Sequence, residues 1–425
     1  MAKDFKVRRY GFDRERKKKQ NLKKALLTLV AVAVAGAAGW LLYEPVYDFV
    51  TNFQMPSLGQ PDPSSQSEDP AQVPPASSSS SQPSGEEAEP RGLPDSTAYV
   101  PTYLLSDTAN LETYLSGLKA QGVEGAVIEL KSPEGKVLYQ SGLEIVAANL
   151  AQGESPYDLE AAAAAIRQAG LIPVGRLWAF RDSISTATMY EAAVKYMGSN
   201  INWIDNSKAA GGKPWLNPNS VQAQDYILEL IGEAADMGLH AVILEGTQFP
   251  EGYSLELATY GNAGTLDKSQ VLADFAVRAR QAGESKGCQV WPAVSLAATA
   301  KVYEIPYGDT PEKIIQAAGR AVINVQPEQF GTGIATEALA LSNPALDPYG
   351  TVKAGLEASQ EALEAAGEAE LAAMVQAYTS TTLPEGSNKA YGAAEISDQT
   401  RALQEAGVEK VFYYSPSGTY TLSQD

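Results

Sequence analysis

The sequence predicts a (β/α)8 TIM barrel that follows an N-terminal single transmembrane helix and a disordered linker. Between residues 96 and 425, short apolar runs alternate with amphipathic segments until eight strands are counted, the number in a (β/α)8 barrel. An uncharged run of 19 residues at 25–43 directly follows a basic cluster, as in a membrane anchor. A stretch rich in Ser, Pro and acidic residues separates the anchor from the barrel.

Residues 1–24 form a basic tail that we expect to lie in the cytoplasm. They hold 11 of the 32 Lys and Arg and 3 of the 51 Asp and Glu, a net charge of +8, so the rest of the chain carries −27. Positive charge before an apolar run keeps that end inside. As a helix, residues 25–43 would span ~28 Å and contact the lipid bilayer. The barrel would then be extracellular on a single-pass cell-membrane protein, with a cleaved signal peptide as the alternative.

Residues 44–95 are predicted to be an extracellular linker. Most of the segment is low in complexity, and its centre reads SSQSEDPAQVPPASSSSSQPSGEEAEP. Such a composition lacks the apolar side chains that would offset the entropy of ordering, so we expect disorder. The linker is either a spacer through a cell envelope or a tether with no length requirement. The remaining residues, 96–425, form the predicted barrel domain.

Eight apolar runs in this domain are predicted to be strands, and seven segments between them have helical periodicity. The strands are Ala98–Leu105, Gly125–Leu130, Leu171–Phe180, Ala241–Leu244, Gln289–Leu296, Ala321–Val325, Leu371–Tyr378 and Lys410–Tyr414. The helices are Thr108–Ala120, Leu159–Ala169, Ser220–Met237, Gln270–Ser285, Pro311–Gly319, Val352–Ala366 and Ile396–Ala406. A doubly wound open sheet is the alternative, but no GxGxxG or GxxxxGK[ST] pattern follows a strand here.

Composition excludes several classes of function. His240 is the only histidine and Cys288 the only cysteine, which argues against Ser-His-Asp catalysis, HExxH zinc chemistry and a disulfide framework. The acidic domain argues against nucleic acid as a partner, because binding phosphates requires a basic surface. No metal and no other cofactor is predicted.

The acid at the end of the fourth strand is the first candidate for chemistry. Glu245 directly follows a buried apolar run, and barrel enzymes carry their active sites at the carboxyl ends of their strands. Glu129 ends the second strand and is the best-placed partner. Glycoside hydrolysis requires two carboxyl groups about 5–5.5 Å apart for retention or about 6.5–9.5 Å apart for inversion. We therefore predict Glu245 and Glu129 to be catalytic, unless Lys131 or Arg176 engages them in a structural ion pair.

The other strand ends bring amides, aromatic rings, bases and further acids. Sugars fit such a mixture, because their hydroxyl groups bond to acids and amides while their apolar ring faces stack on aromatic rings. Carbohydrate, as a polysaccharide or an envelope glycan, is therefore the expected partner. The predicted substrate-binding residues are Lys131, Arg176, Trp178, Asp182, Gln248, Gln326, Glu328, Gln376, Tyr378 and Tyr414. Asp182 and Glu328 are also reserves for the catalytic pair, and Trp178 could instead belong to the core.

Several blocks resemble a family of bacterial secreted and membrane-anchored proteins that is described as a putative glycosyl hydrolase domain. The resemblance covers most of residues 98–420. The blocks that carry it are Gly122–Tyr139, Gly175–Asp182, Trp215–Gly238, Asn343–Gly350, Met374–Thr379 and Phe412–Tyr420. It implies a barrel fold distantly similar to other glycosidases and a hydrolytic activity on glycans.

Two blocks depart from the family pattern. Where the family has Asp-Tyr-Ile-Arg-Phe-Pro after the fourth strand, this chain has Glu245 to Pro250 as EGTQFP, without the Tyr and the Arg. Where the family has Tyr-Pro-Ser-His after the sixth strand, the chain has QPEQ at 326–329. Three hypotheses follow: a membrane-anchored extracellular glycosidase, an inactive barrel that binds glycan or protein at the same mouth, and an assembly scaffold with an acidic surface.

Overall fold

The computed structural model describes residues 92–261, 266–302, 306–308 and 310–422. The predicted basic tail 1–24, the predicted membrane helix 25–43 and all but the end of the predicted linker 44–95 lie outside these ranges. Within them, no helix has both the length and the apolar character that a membrane span requires.

Eight parallel strands form a closed barrel in the described part of the chain. They are β1 (Ser96–Val100), β2 (Gly125–Lys131), β3 (Ile172–Trp178), β4 (Ala241–Glu245), β5 (Gln289–Ser295), β6 (Arg320–Asn324), β7 (Glu370–Gln376) and β8 (Lys410–Tyr414). Each strand pairs with the next in chain order, and β1 also pairs with β8, so the sheet has no edge within the barrel. The prediction of a (β/α)8 barrel is confirmed.

In the described part of the chain, seven helices of seven residues or more connect the strands on the outside of the barrel, and two shorter ones cover Glu144–Ala148 and Leu296–Thr299. The seven longer helices are α1 (Thr108–Ala120), α2 (Leu159–Gln168), α3 (Val221–Asp236), α4 (Lys268–Glu284), α5 (Glu312–Ala318), α6 (Pro348–Ala365) and α7 (Ala393–Glu405). Helix α3 illustrates how the sequence specifies them. The Ser220 hydroxyl accepts a hydrogen bond from the N–H of Ala223 and caps the helix, and Tyr226, Leu230 and Ile231 bury one face against the barrel.

The first strand differs from its prediction. It covers Ser96–Val100 rather than Ala98–Leu105, and Thr102–Leu104 forms a 3₁₀ turn instead. Pro101 accounts for the difference, because it has no N–H to donate to a neighbouring strand. The apolar side chains that follow it are buried by the turn rather than by the sheet. The prediction was therefore wrong beyond Val100.

Two short strands that no sequence pattern predicted extend the sheet beside β2. The strand Val137–Tyr139 pairs with β2 in antiparallel orientation. The strand Gln152–Tyr157 then pairs with Val137–Tyr139 in parallel orientation. Glu233 of α3 anchors this extension, because its carboxylate accepts hydrogen bonds from Tyr139 Oη (2.6 Å), Ser141 Oγ (2.7 Å) and Gly142 N (2.7 Å). The extension places Tyr157 beside the end of β2.

The interior of the barrel changes from apolar to polar along the strand direction. The lower part is an apolar cluster that includes Val127, Val174, Ile243, Trp291 and Phe412. Side chains alternate along a strand, so the next inward positions lie two residues further on. These positions carry Glu129, Arg176, Glu245 and Tyr414. The polar layer that results closes the barrel at the carboxyl ends of its strands.

Candidate active site at the carboxyl ends of the strands

Arg176 joins the two predicted catalytic acids. Its Nη1 donates a hydrogen bond to Glu129 Oε2 at 3.1 Å, and its Nε donates to Glu245 Oε1, also at 3.1 Å. Each of the three residues exposes 7% of its surface. Two carboxylates from different strands thus share one guanidinium at the bottom of the barrel mouth.

Strand register brings the three side chains together. Arg176 of β3 lies opposite Glu129 of β2, and Trp178 of β3 lies opposite Glu245 of β4. Gly246, which follows the acid, has φ +63° and turns the chain beside the Trp178 ring. This backbone conformation favours glycine. The replacement of the family's Tyr by Gly246 is thereby compatible with an acid held at the strand end.

Burial and charge act in opposite directions on the acids. Burial raises the pKa of Glu129 above its ordinary value, the Arg176 guanidinium partly opposes this rise, and the nearby Glu245 carboxylate adds to it. Burial would lower the pKa of Arg176, but Glu129 and Glu245 together raise it well above its usual range. Arg176 is therefore positively charged at every relevant pH, whereas Glu129 retains a proton to higher pH than a free glutamate does.

Aromatic rings surround the acid pair. The Arg176 guanidinium carbon lies 4.8 Å from the centre of the Tyr414 ring and 5.4 Å from that of Trp178. Tyr414 packs against Tyr99 of β1 at 5.4 Å and edge-on against Tyr378 at 6.0 Å between ring centres. The Trp178 Nε1 atom is buried without a hydrogen bond of good geometry, although its N–H lies close enough to Glu129 to lower the pKa of that carboxyl.

Lys131 and Asp182 lie next to this centre but pair with each other. Neither residue has any exposed surface, and Lys131 Nζ lies 3.0 Å from Asp182 Oδ2. The ammonium also donates to the carbonyl oxygens of Trp178 (2.8 Å) and Ala179 (3.2 Å). Asp182 Oδ1 accepts from the backbone N–H of Ser185 at 2.7 Å. The pair thus fixes the end of β3, and these contacts occupy the ammonium and the carboxylate without a ligand.

The turn after β6 is tied to β7 by hydrogen bonds. The N–H of Glu328 donates to Gln376 Oε1 at 3.0 Å, and Thr382 donates its hydroxyl to Glu328 Oε1. The Gln376 Nε2 group donates to the carbonyl of Tyr378 at 3.0 Å. Gln326 is 8% exposed, and its Nε2 has no hydrogen-bond partner. Gln326, Glu328 and Tyr378 lie on the β6–β7 side of the mouth, while the fully buried Gln376 holds the turn from behind.

Three further tyrosines contribute to this region. The Tyr157 hydroxyl donates to the backbone carbonyl of Glu129 at 2.8 Å, and Tyr307 donates to Gln248 Oε1 at 3.0 Å, which places Gln248 beyond the end of β4. Burial, with Glu129 nearby, raises the pKa of Tyr99 to about 12. Sequence reasoning did not select these tyrosines. A correct first strand would have indicated Tyr99, which has the inward parity, whereas Tyr157 lies in the extension that gave no signal.

The described residues contain no group of three or more His, Cys, Asp or Glu side chains that could hold a metal ion. The mouth brings together the Glu129 and Glu245 carboxyl groups and the Arg176 guanidinium. Glu129, with its raised pKa, can supply a proton donor at this mouth.

The sequence comparison identifies the family. The sequence model of the family that is described as a putative glycosyl hydrolase domain matches residues 97–420. The chain belongs to this family. The putative glycosyl hydrolase domain thus covers all eight barrel strands except the first residue of β1. No match to this chain was found among curated proteins.

Solved structures with a similar fold include known glycosidases. The glycoside hydrolase domain of PgaB (BpsB) from Bordetella bronchiseptica is 12% identical, has a TM-score of 0.55, and aligns over 76% of this chain and 94% of that one. The catalytic domain of a β-amylase from Paenibacillus polymyxa is 12% identical, with a TM-score of 0.45 and coverage of 77% and 94%. A hypothetical protein from Ruminiclostridium thermocellum is 20% identical, with a TM-score of 0.40 and coverage of 46% and 96%.

Proposed function

We propose that the barrel mouth hydrolyses the glycosidic bonds of a polysaccharide or cell-envelope glycan. The observation that carries the proposal is the convergence of Glu129 and Glu245 on Arg176 in the polar layer of a glycosyl hydrolase domain. Two carboxyl groups on either side of a scissile bond are what this reaction requires. The surrounding aromatic rings offer apolar faces to a sugar.

Glu129 acts as the general acid. Its raised pKa lets it carry a proton at a pH at which an ordinary glutamate is ionised. The proton passes to the glycosidic oxygen while the bond from that oxygen to the anomeric carbon breaks. The protonated leaving group departs as an alcohol rather than as an alkoxide. This lowers the barrier, because no negative charge has to build up on its oxygen.

Glu245 acts on the opposite side of the sugar. As a carboxylate it either removes a proton from the attacking water or bonds to the anomeric carbon itself, and water then hydrolyses that ester. In both cases the anomeric carbon gains the water oxygen and the leaving alcohol gains a proton. Arg176 orients both acids through its two hydrogen bonds.

The direct experiment is to incubate the full-length protein with a panel of polysaccharides and to measure newly released reducing ends. We expect release from at least one member of the panel. The Glu129→Gln/Glu245→Gln double variant should release none above buffer, because neither amide can donate or accept the required proton. Equal release by the double variant would disprove the proposal for this mouth.

A second candidate function is glycan or protein binding without hydrolysis. The observation that favours it is that Arg176 already engages both acids, which together with it are more than nine-tenths buried. The Tyr and Arg of the family's fourth-strand block are also absent here. Binding of a panel member without release of reducing ends would support this candidate and refute hydrolysis.

We further propose that residues 25–43 anchor the protein in the cell membrane, with residues 1–24 in the cytoplasm and the barrel outside. The support is the uncharged 19-residue run and the charge of +8 before it. After fractionation of the producing cell, the chain should remain with the membranes in carbonate and dissolve in detergent. Protease added to intact cells should remove the barrel. Release of a shortened chain into the medium would instead indicate a cleaved signal peptide.

A further inference from the structure

The turn after β6 holds a buried amide donor that the fold leaves without a partner. Gln326 Nε2 is a hydrogen-bond donor, Gln326 is 8% exposed, and no acceptor lies within reach of this atom. Leaving a buried donor unpaired costs about 1–3 kcal/mol. Such a group therefore requires an explanation, and a ligand that supplies the missing acceptor is one.

The backbone of the turn and the Gln329 side chain are held in place by hydrogen bonds. Gln329 Nε2 donates to the carbonyls of Asn324 (2.8 Å) and Gln326 (3.1 Å), and its Oε1 accepts from Ser295 (2.8 Å). The N–H of Gln326 donates to Asn324 Oδ1 at 3.1 Å. The backbone that carries the unpaired amide is thus immobilised from β5, β6 and β7, so little ordering entropy would be lost when a ligand binds.

The position of Gln326 relates it to the acid pair. Val322 of β6 belongs to the apolar interior of the barrel. Gln326 lies four residues further on, just beyond Asn324 at the carboxyl end of β6, and side chains an even number of residues apart lie on the same face of a strand. A continuous series of contacts runs from Arg176 to the Tyr414 ring at 4.8 Å, from Tyr414 to Tyr378 at 6.0 Å, and from Tyr378 to Glu328. Gln326 and the acid pair therefore lie at the same end of the barrel, where the strands have their carboxyl ends.

Glu328 adds an acceptor to this donor. Its Oε2 is buried without a hydrogen bond of good geometry. The Tyr378 hydroxyl nevertheless lies close to this carboxylate: burial is the main cause of the raised pKa of Tyr378, and Glu328 is the second. A sugar ring carries hydroxyl groups that donate and accept at once. It could accept from Gln326 and donate to Glu328, which an aryl or alkyl group could not do.

We infer that the β6–β7 side of the mouth is a second sugar-binding subsite, in which Gln326 Nε2 donates a hydrogen bond to a hydroxyl or amide oxygen of the ring adjacent to the cleaved one. This inference rests on the proposed function and narrows it. The substrate is an oligosaccharide or polysaccharide that fills at least two subsites. Binding of the second ring contributes to the rate because it positions the scissile bond over the acids.

The test compares substrates with and without a second ring. Cello- and chito-oligosaccharides of two to six units are compared with the matching nitrophenyl monosaccharides, using the full-length protein. In Gln326→Ala, we expect kcat/KM to fall about tenfold or more on the oligosaccharide that is cleaved best, since one hydrogen bond to the ring is lost. It should change less than twofold on the nitrophenyl monosaccharide.

Two further variants separate binding from folding. Gln326→Met has a similar length without the donor and without a charge, and should lose as much as Gln326→Ala. Gln360→Ala removes an exposed glutamine of α6 that pairs with Glu364 and should match the wild type on all substrates. Removing an unpaired buried donor should leave the melting temperature unchanged or raise it, whereas a structural role for Gln326 predicts a lower melting temperature.

The outcomes keep the two proposals distinct. Equal losses on both substrate types, or none on either, would overturn the subsite while leaving hydrolysis intact. If no substrate is cleaved, hydrolysis fails, and isothermal titration with the same oligosaccharides decides about the subsite. Binding that weakens tenfold in Gln326→Ala supports it in that case, and absence of binding to the wild type overturns it.

Discussion

Glu245→Gln is expected to lower kcat/KM on a hydrolysed glycan by about 10²–10⁴-fold, the range that a positioned acid or base contributes. Glutamine keeps the shape of the side chain and an oxygen that can accept from Arg176 Nε, so the barrel should fold as before. What disappears is the carboxylate that attacks the sugar or activates water. Reducing-end release across substrate concentrations measures the loss.

Glu129→Gln is expected to change the pH dependence of the activity. Burial raises the pKa of Glu129, so the wild type should lose activity as pH rises through that raised value, when the acid gives up its proton. The amide does not titrate, so residual activity should lack that alkaline limb. The free energy of unfolding depends on pH in the same direction. The stabilisation from protonated Glu129 is complete below the ordinary pKa of about 4.3 and disappears as pH rises through the raised pKa.

Asp225→Asn provides the control for both variants. Asp225 also pairs with an arginine, Arg278 at 2.5 Å, but its side chain is 49% exposed and lies on the helices outside the barrel. It should retain wild-type kinetics at every pH. If Glu245→Gln remained as active as this control, Glu245 would have no part in the reaction.

The barrel could be predicted from the sequence because it depends on local patterns. The seven helices α1–α7 lie between the strands, and five of them begin at a residue whose side chain caps the helix. Seven of the eight predicted strands differ from the observed ones by two residues or fewer at either end. The prediction of the first strand was wrong beyond Val100, because Pro101 has no N–H to donate to a neighbouring strand although apolar residues continue after it. The extension beside β2 failed because Gln152–Tyr157 has a polar surface that resembles a loop in sequence.

The polar layer was predictable in composition but not in connectivity. Position at a strand end was enough to select Glu129, Arg176 and Glu245. Which groups pair depends on the register between strands, and that is set by packing around the whole barrel. Thus Arg176 was expected to bind substrate and is found between the two acids. The family's missing Arg after β4 has a counterpart in charge here, since a guanidinium from β3 reaches Glu245.

Lys131→Met is expected to reduce the free energy of unfolding by about 3–5 kcal/mol, the cost of removing one partner from a buried ion pair. Asp182 would lose its cationic partner at a position with no exposed surface, and the carbonyls of Trp178 and Ala179 would lose their shared donor. Urea unfolding followed by tryptophan fluorescence and by circular dichroism measures the change.

The double variant Lys131→Met/Asp182→Asn should be more stable than the sum of the single losses predicts, because it leaves no unpaired charge behind. Asparagine can still accept from the N–H of Ser185, which keeps the turn after β3. The control is Lys136→Met, whose partner Glu154 is 92% exposed, and it should cost less than about 1 kcal/mol.

These variants also decide between two roles for Lys131. If it binds substrate, as its position at a strand end suggested, Lys131→Met should raise KM and leave the urea midpoint unchanged. If it fixes the end of β3, the midpoint should fall, and KM should return to normal in the cold, where the variant is folded. The zero exposure of both side chains favours the second result, because a substrate cannot reach an ammonium that three oxygens already surround. A normal midpoint with a raised KM would contradict it and place Lys131 in the mouth.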